Sequence, residues 1–89
     1  MDWEPKTKEK FQGMISRIPL FHRRITQDAV TARAEEIAKS RGSAQVNEQD
    51  VIGAFFSDVP SPFYGMMVRL LEQTGFDYKK YGFPRNNHK

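Results

Sequence analysis

A lone histidine, His22, stands among three arginines, Arg17, Arg23 and Arg24. These four side chains form the densest cluster in the sequence that could do chemistry. An arginine can hold phosphate or carboxylate through two parallel hydrogen bonds, and a histidine can move a proton or ligate a metal near neutral pH. Each of these uses needs more than the cluster supplies. A zinc site takes three or four protein ligands, and the second histidine, His88, falls in a polar tail. A general base needs an orienting carboxylate, which no neighbouring acid is spaced to provide. Two readings of His22 remain: an axial ligand for a haem or chlorin, or a partly exposed histidine at the start of a basic helix. The cluster as a whole either meets an anionic group outside the domain or faces the chain's own acids, Glu35, Glu36, Glu48 and Asp50.

The rest of the chain adds no catalytic constellation. Asp2, Glu4, Glu9, Glu35 and Glu36 form no carboxylate pair suited to acid–base work, and the serines lack a nucleophile-elbow context. There is no glycine-rich phosphate loop. With no cysteine, disulfides, thiolate zinc sites and cysteine-ligated iron–sulfur clusters are excluded. Lys79 and Lys80, interleaved with Tyr78 and Tyr81, have the look of a stacking site for single strands. They equally fit a tail that packs its rings and lays lysine stems beside them. Met14, Met66 and Met67 suit either a core or an adaptable binding surface. No cofactor and no metal are expected, and no reaction is expected of the chain alone.

The elements that must position the basic cluster are helices. Asp2 or Glu4 can cap a first helix, with Pro5 in its first turn, where the missing N–H costs nothing. Phe11, Met14, Ile15 and Ile18 recur at helical spacing, and Trp3 could fold back on this face. Pro19 removes a donor and disfavours helical geometry before it, so this helix should end near Arg17. The second helix begins at Pro19, or after Thr26 if the chain breaks there, and the first option fits the pattern better. Phe21, Ile25 and Ala29 form a stripe at i, i+4 and i+8 that drifts to Val30, Ala34, Ile37, Ala38 and Arg41 before Gly42 stops the helix. On this reading Pro19 stops one helix and Phe21 anchors the next in the core.

Residues 43–46 form a short extended connector. Asn47 caps a third helix, with Asp50 completing a capping box, Val46 as a staple and Val51, Ile52, Phe55 and Phe56 on its apolar face. It should end near Ser57 or Asp58. Ser61 then caps a fourth helix with Pro62 in its first turn; Phe63, Met66, Met67, Leu70 and Leu71 give its apolar face, and Thr74–Gly75 its end. Residues 76–83 have room for one short turn with rings packed back on the bundle, and residues 84–89 read as a disordered tail. The predicted fold is all-α, a compact bundle of about four short helices in one domain over residues 1–83.

At 89 residues, eleven of them aromatic, the chain can bury one small core. Residues 1–25 carry a net charge of +3, residues 26–60 of −3 and residues 61–89 of +3. Such alternation suits an anionic partner or segments that attract one another. No apolar run approaches the roughly 18 residues of a membrane span, and Met1 to Lys6 lack a signal peptide's hydrophobic core. A soluble cytoplasmic protein, without a membrane partner, is the expectation.

The run Trp3, then Ile18-Pro19-Leu20-Phe21-His22-Arg23, then Ala34-Glu35-Glu36-Ile37-Ala38-Lys39-Ser40-Arg41-Gly42, then Val46 to Val51 and Ala54, resembles a known pattern. It is similar to the small helical domain at the C-terminus of one component of light-independent protochlorophyllide reductase, a domain that also occurs as short stand-alone proteins. The likeness covers about residues 3–56 and centres on Ile-Pro-x-Phe-x-Arg. The chain departs from the pattern at His22, where an aliphatic residue is common, in its longer second helix, and in residues 60–83, which include an extra helix over about 61–75. The resemblance implies a non-catalytic appendage that helps contacts within the reductase or shields a substrate site. The reductase's chemistry belongs to iron–sulfur clusters and a nitrogenase-like domain that these residues do not contain. A protein partner, in a redox or tetrapyrrole-related complex, follows as the expectation, with a tetrapyrrole itself as a further candidate. That docking role predicts an exposed apolar patch near Leu20, Phe21 and the methionines, rimmed by Arg17, His22, Arg23 and Arg24. The alternative is a histone-like nucleic-acid-binding protein, since half a histone fold is similar in its long helix, short loop and Val-x-x-x-Asp-Val helix start. The basic residues at 17–24 would then approach phosphates.

Overall fold

The computed structural model describes residues 1–83, so the expected tail, with His88, lies outside the described residues. Among these residues the fold is all-α. Its four helices are α1 (Pro5–Ile15), α2 (Leu20–Ser40), α3 (Glu48–Asp58) and α4 (Tyr64–Gln73). Two-residue strands β1 (Asp2–Trp3) and β2 (Gln45–Val46) pair in parallel, Asp2 opposite Gln45 and Trp3 opposite Val46. The extended connector thus ties the N-terminus to the α2–α3 link. Single 3-10 turns cover Ser61–Phe63 and Tyr78–Tyr81.

The core is built where α2 and α3 cross. Ala34 and Ala38, fully buried and one turn apart on α2, offer only methyl groups, so α3 can approach closely with Val51, Ile52 and Phe55. Met14 and Phe11 of α1, Met67 and Leu71 of α4, and Phe76 and Tyr78 beyond it close the core. Trp3 folds back as anticipated and stacks on Phe11 with ring centroids 5.2 Å apart, while its indole N–H donates to Glu35 Oε2 at 3.1 Å. The Asn47–Asp50 capping box forms: Asn47 Oδ1 accepts from the Gln49 N–H at 3.2 Å, and Asp50 Oδ2 accepts from the Asn47 N–H at 2.9 Å.

Three local expectations are corrected. The first helix stops at Ile15 rather than Arg17, because the Arg17 and Ile18 amides donate three residues back, to Met14 and Ile15 carbonyls, tightening the last turn ahead of Pro19. Ser61 does not cap α4. Pro60 holds the cap position of a 3-10 turn over Ser61–Phe63, whose Phe63 amide donates to the Pro60 carbonyl at 2.9 Å, and Phe63 itself holds the cap position of α4. Phe21 is no core anchor, since 78% of it is exposed. The second helix starts at Leu20 behind Pro19 and runs unbroken past Thr26. Its buried residues, Val30, Ala34 and Ala38, all lie from its midpoint onward. The turns ahead of Val30 project past the core as an arm.

Candidate functional site

That arm is one wall of an apolar groove. Ile25 and Ala29 of α2 face the corner between α3 and α4, where Val59, Pro60, Phe63, Met66 and Leu70 form the opposite wall. Met14, Val30, Phe55 and Met67, all buried core residues, make the floor. The space is about 380 Å³. Prolines, a hydrogen bond and the edge-on packing of Phe56 on Tyr64, ring centroids 5.2 Å apart, shape this corner. Pro60 precedes the 3-10 turn and Pro62 lies within it, and the Tyr64 hydroxyl donates to the Phe56 carbonyl at 2.7 Å, pinning the start of α4 against the end of α3. Arg33 Nε donates to Asp58 Oδ1 at 3.0 Å, tying α2 to the end of α3 beside the groove. The Asp58 hydrogen bond holds the Arg33 guanidinium above its ordinary pKa range, with the charges of Asp58 and Glu36 adding to it.

The surface around the groove is unusually apolar. Phe21 (78% exposed), Ile25 (71%), Phe63 (52%) and Met66 (54%) stand in solvent. Water-facing apolar side chains are ordinary singly, but Ile25, Phe63 and Met66 lining one apolar groove mark a surface that meets something. Phe21, like the exposed Leu20, does not line the groove.

The four basic candidates do not act as a unit. Arg17 and His22 line the groove's edge. The Arg17 guanidinium donates to the Gly13 carbonyl at 3.0 Å, and the His22 ring lies 4.3 Å from that of Phe21, centroid to centroid. Arg23 turns inward: its guanidinium donates to the Ile18 carbonyl at 2.9 and 3.2 Å and to the Ser16 carbonyl at 3.0 Å. It closes carbonyls left open where α1 ends, which is a structural task. Arg24 is exposed and pairs with Asp28 one turn on, at 3.4 Å. Nor does the cluster face the acidic middle. Asp50 takes both nitrogens of Arg41, Glu48 takes Lys10, Glu36 takes Arg33, and Glu35 takes the Trp3 indole. Those acids are engaged by groups outside the basic cluster, so the positive rim is not neutralised by them.

Of the methionines named from sequence, Met14 and Met67 are core and Met66 is surface. Tyr78 is buried, with its hydroxyl donating to Glu72 Oε2 at 2.8 Å, and Lys79 and Lys80 lie over Tyr78 and Tyr81. Tyr78 and Tyr81 thus pack on the bundle with lysine ammonium groups over their rings. Among the described residues no group of three or more His, Asp or Glu could hold a metal ion, and no helix is long and apolar enough to cross a membrane. No protein-family model matches the chain, and neither does any curated protein or solved structure.

Sequence reasoning missed Val59, Pro60 and Ala29 as surface-forming residues, and it assigned Ile25 and Phe21 to the core. A signal was there. At 3.6 residues per turn, the stripe Phe21-Ile25-Ala29 and the stripe Val30-Ala34-Ala38 point to opposite sides of the same helix. Two stripes half a turn apart cannot both face one core.

Proposed function

We propose that the chain is a non-catalytic accessory domain that docks on a protein through the groove between the α2 arm and the α3–α4 corner. The observation carrying this reading is the exposed apolar lining of that groove, Ile25, Phe63 and Met66, with Arg17 and His22 at its edge. The occupant it fits presents apolar side chains flanked by a carboxylate. The residue pattern around Ile18 to Arg23 resembles the small C-terminal helical domain of light-independent protochlorophyllide reductase. On that resemblance the docking serves a redox or tetrapyrrole-related complex in the cytoplasm.

The test uses a photo-crosslinking amino acid placed at Phe63, inside the groove, and at Gln12, exposed on α1 away from it. Irradiation in the native cell should yield defined protein adducts from position 63 and none of the same from position 12. Position 63 giving only uncrosslinked chain would end the docking reading.

His22 at the edge of the groove favours a second reading, in which a tetrapyrrole lies in the groove with His22 as axial ligand. Haem titration should then shift the Soret band, and His22→Ala should abolish the shift; an unshifted band with the unaltered chain refutes it. The nucleic-acid alternative keeps fewer residues than the sequence offered, since Arg23 is engaged with carbonyls and Arg24 with Asp28.

A further inference from the structure

We infer that the partner in the groove is a second copy of this chain, its α2 arm lying antiparallel on the first about a two-fold axis at Ile25. This names the occupant of the docking surface proposed above and rests on that reading. A two-fold interface puts the same patch on both sides, so the patch must complement itself. The arm does so in size. Phe21, Ile25 and Ala29 lie on one stripe, about 12 Å from end to end at helical rise. Reversed about Ile25, the stripe sets Phe21 against the partner's Ala29, where the groove wall is a single methyl group, and Ile25 against the partner's Ile25. A large ring meets a small residue at each end, so the surfaces can interdigitate.

The arm also complements itself in charge. The same reversal keeps Arg24 and Asp28 on one flank of the contact in both copies, which brings each Arg24 beside the partner's Asp28. Arg24 and Asp28 are tied only to each other across a long, solvent-exposed 3.4 Å contact, so both can be shared across the axis. The area is of the right order. Four large apolar side chains at 52–78% exposure offer on the order of 500 Å². A standard interface buries about 800 Å² on each side, roughly 60% of it apolar, which is close to the same apolar area.

The experiment is sedimentation velocity of the whole chain from about 1 to 500 µM, because a homodimer's population follows protomer concentration. Unaltered protein should shift from the 10.3 kDa species to one of twice that mass as concentration rises. Ile25→Glu, which sets two carboxylates at the axis, should remain the smaller species throughout while keeping its helical circular dichroism. Since the chain has no cysteine, Ile25→Cys should form an interchain disulfide on mild oxidation and Gln12→Cys should not. The smaller mass at every concentration, or a dimer unaffected by Ile25→Glu and not trapped by Ile25→Cys, overturns the inference. In that event a position-63 adduct with a different protein would leave the docking reading standing, and absence of any adduct would remove both.

Discussion

Replacing Arg41 with alanine should destabilise this fold more than neutralising the acid it holds, and neutralising both should recover much of the loss. Asp50 is fully buried in the first turn of α3, and Arg41, just past the end of α2, donates to both its oxygens at 2.7 and 2.8 Å. Asp50 Oδ2 also accepts from the Asn47 amide. The Asp50 hydrogen bonds hold the Arg41 guanidinium above its ordinary pKa range, against a smaller opposing push from burial. Arg41→Ala leaves a buried carboxylate with one backbone donor. A broken buried pair costs about 3–5 kcal/mol, but the Arg41 side chain is 33% exposed, so water can partly replace it and about 2–3 kcal/mol is the discounted figure. Asp50→Asn keeps an acceptor for the Asn47 amide and loses mainly charge assistance, about 1 kcal/mol. The double variant has no stranded charge and should cost only about 1–1.5 kcal/mol, less than Arg41→Ala alone. In urea, with a slope of about 1 kcal/mol/M for a chain this size, the three midpoints should fall by roughly 2–3, 1 and 1–1.5 M. If Asp50→Asn does not rescue Arg41→Ala, or if Arg41→Ala costs under about 1 kcal/mol, the pair is not the clamp between α2 and α3 that its geometry implies.

The remaining predictions separate surface from scaffold. At concentrations where the chain is a single copy, Phe21→Ser should change unfolding free energy by no more than about 0.5 kcal/mol, as expected for a side chain 78% exposed; a loss above about 2 kcal/mol would mean that the arm packs on its own chain. Gly42→Ala should cost about 1 kcal/mol by denaturant titration, since the residue sits at φ +78° with no atom near the added methyl, so only backbone strain is at issue. The Tyr78 pKa is raised above 10.0, chiefly by its hydrogen bond to Glu72 and then by burial. Its folded-state value exceeds the unfolded one. Its contribution is therefore complete below about pH 10 and lost as pH rises through the raised value. Stability followed across that alkaline range should show this loss, and Tyr78→Phe should flatten it; an unchanged slope would show that the hydroxyl does not matter.

Most local structure was legible because it is decided within a few residues. Pro19 stops one helix and opens the next whatever surrounds it, and Asn47 with Asp50 caps α3 through bonds spanning three residues. Gly42 and Gly75 sit at positive φ where the helices end. The absence of cysteine, and the lack of acid, base and nucleophile at workable spacing, were also properties of the sequence itself. Periodicity could show that α2 carries apolar stripes, but not which stripe had a neighbour. Only the crossing of α3 over Ala34 and Ala38 assigned Val30, Ala34 and Ala38 to the core and left Phe21 and Ile25 in water. Tertiary structure likewise divided the basic cluster. Arg23 reaches back five and seven residues to the carbonyls of Ile18 and Ser16, while Arg17 and His22 stay at the edge of the groove. Burial depends on what arrives from elsewhere in the chain, and a stripe of side chains cannot encode that alone.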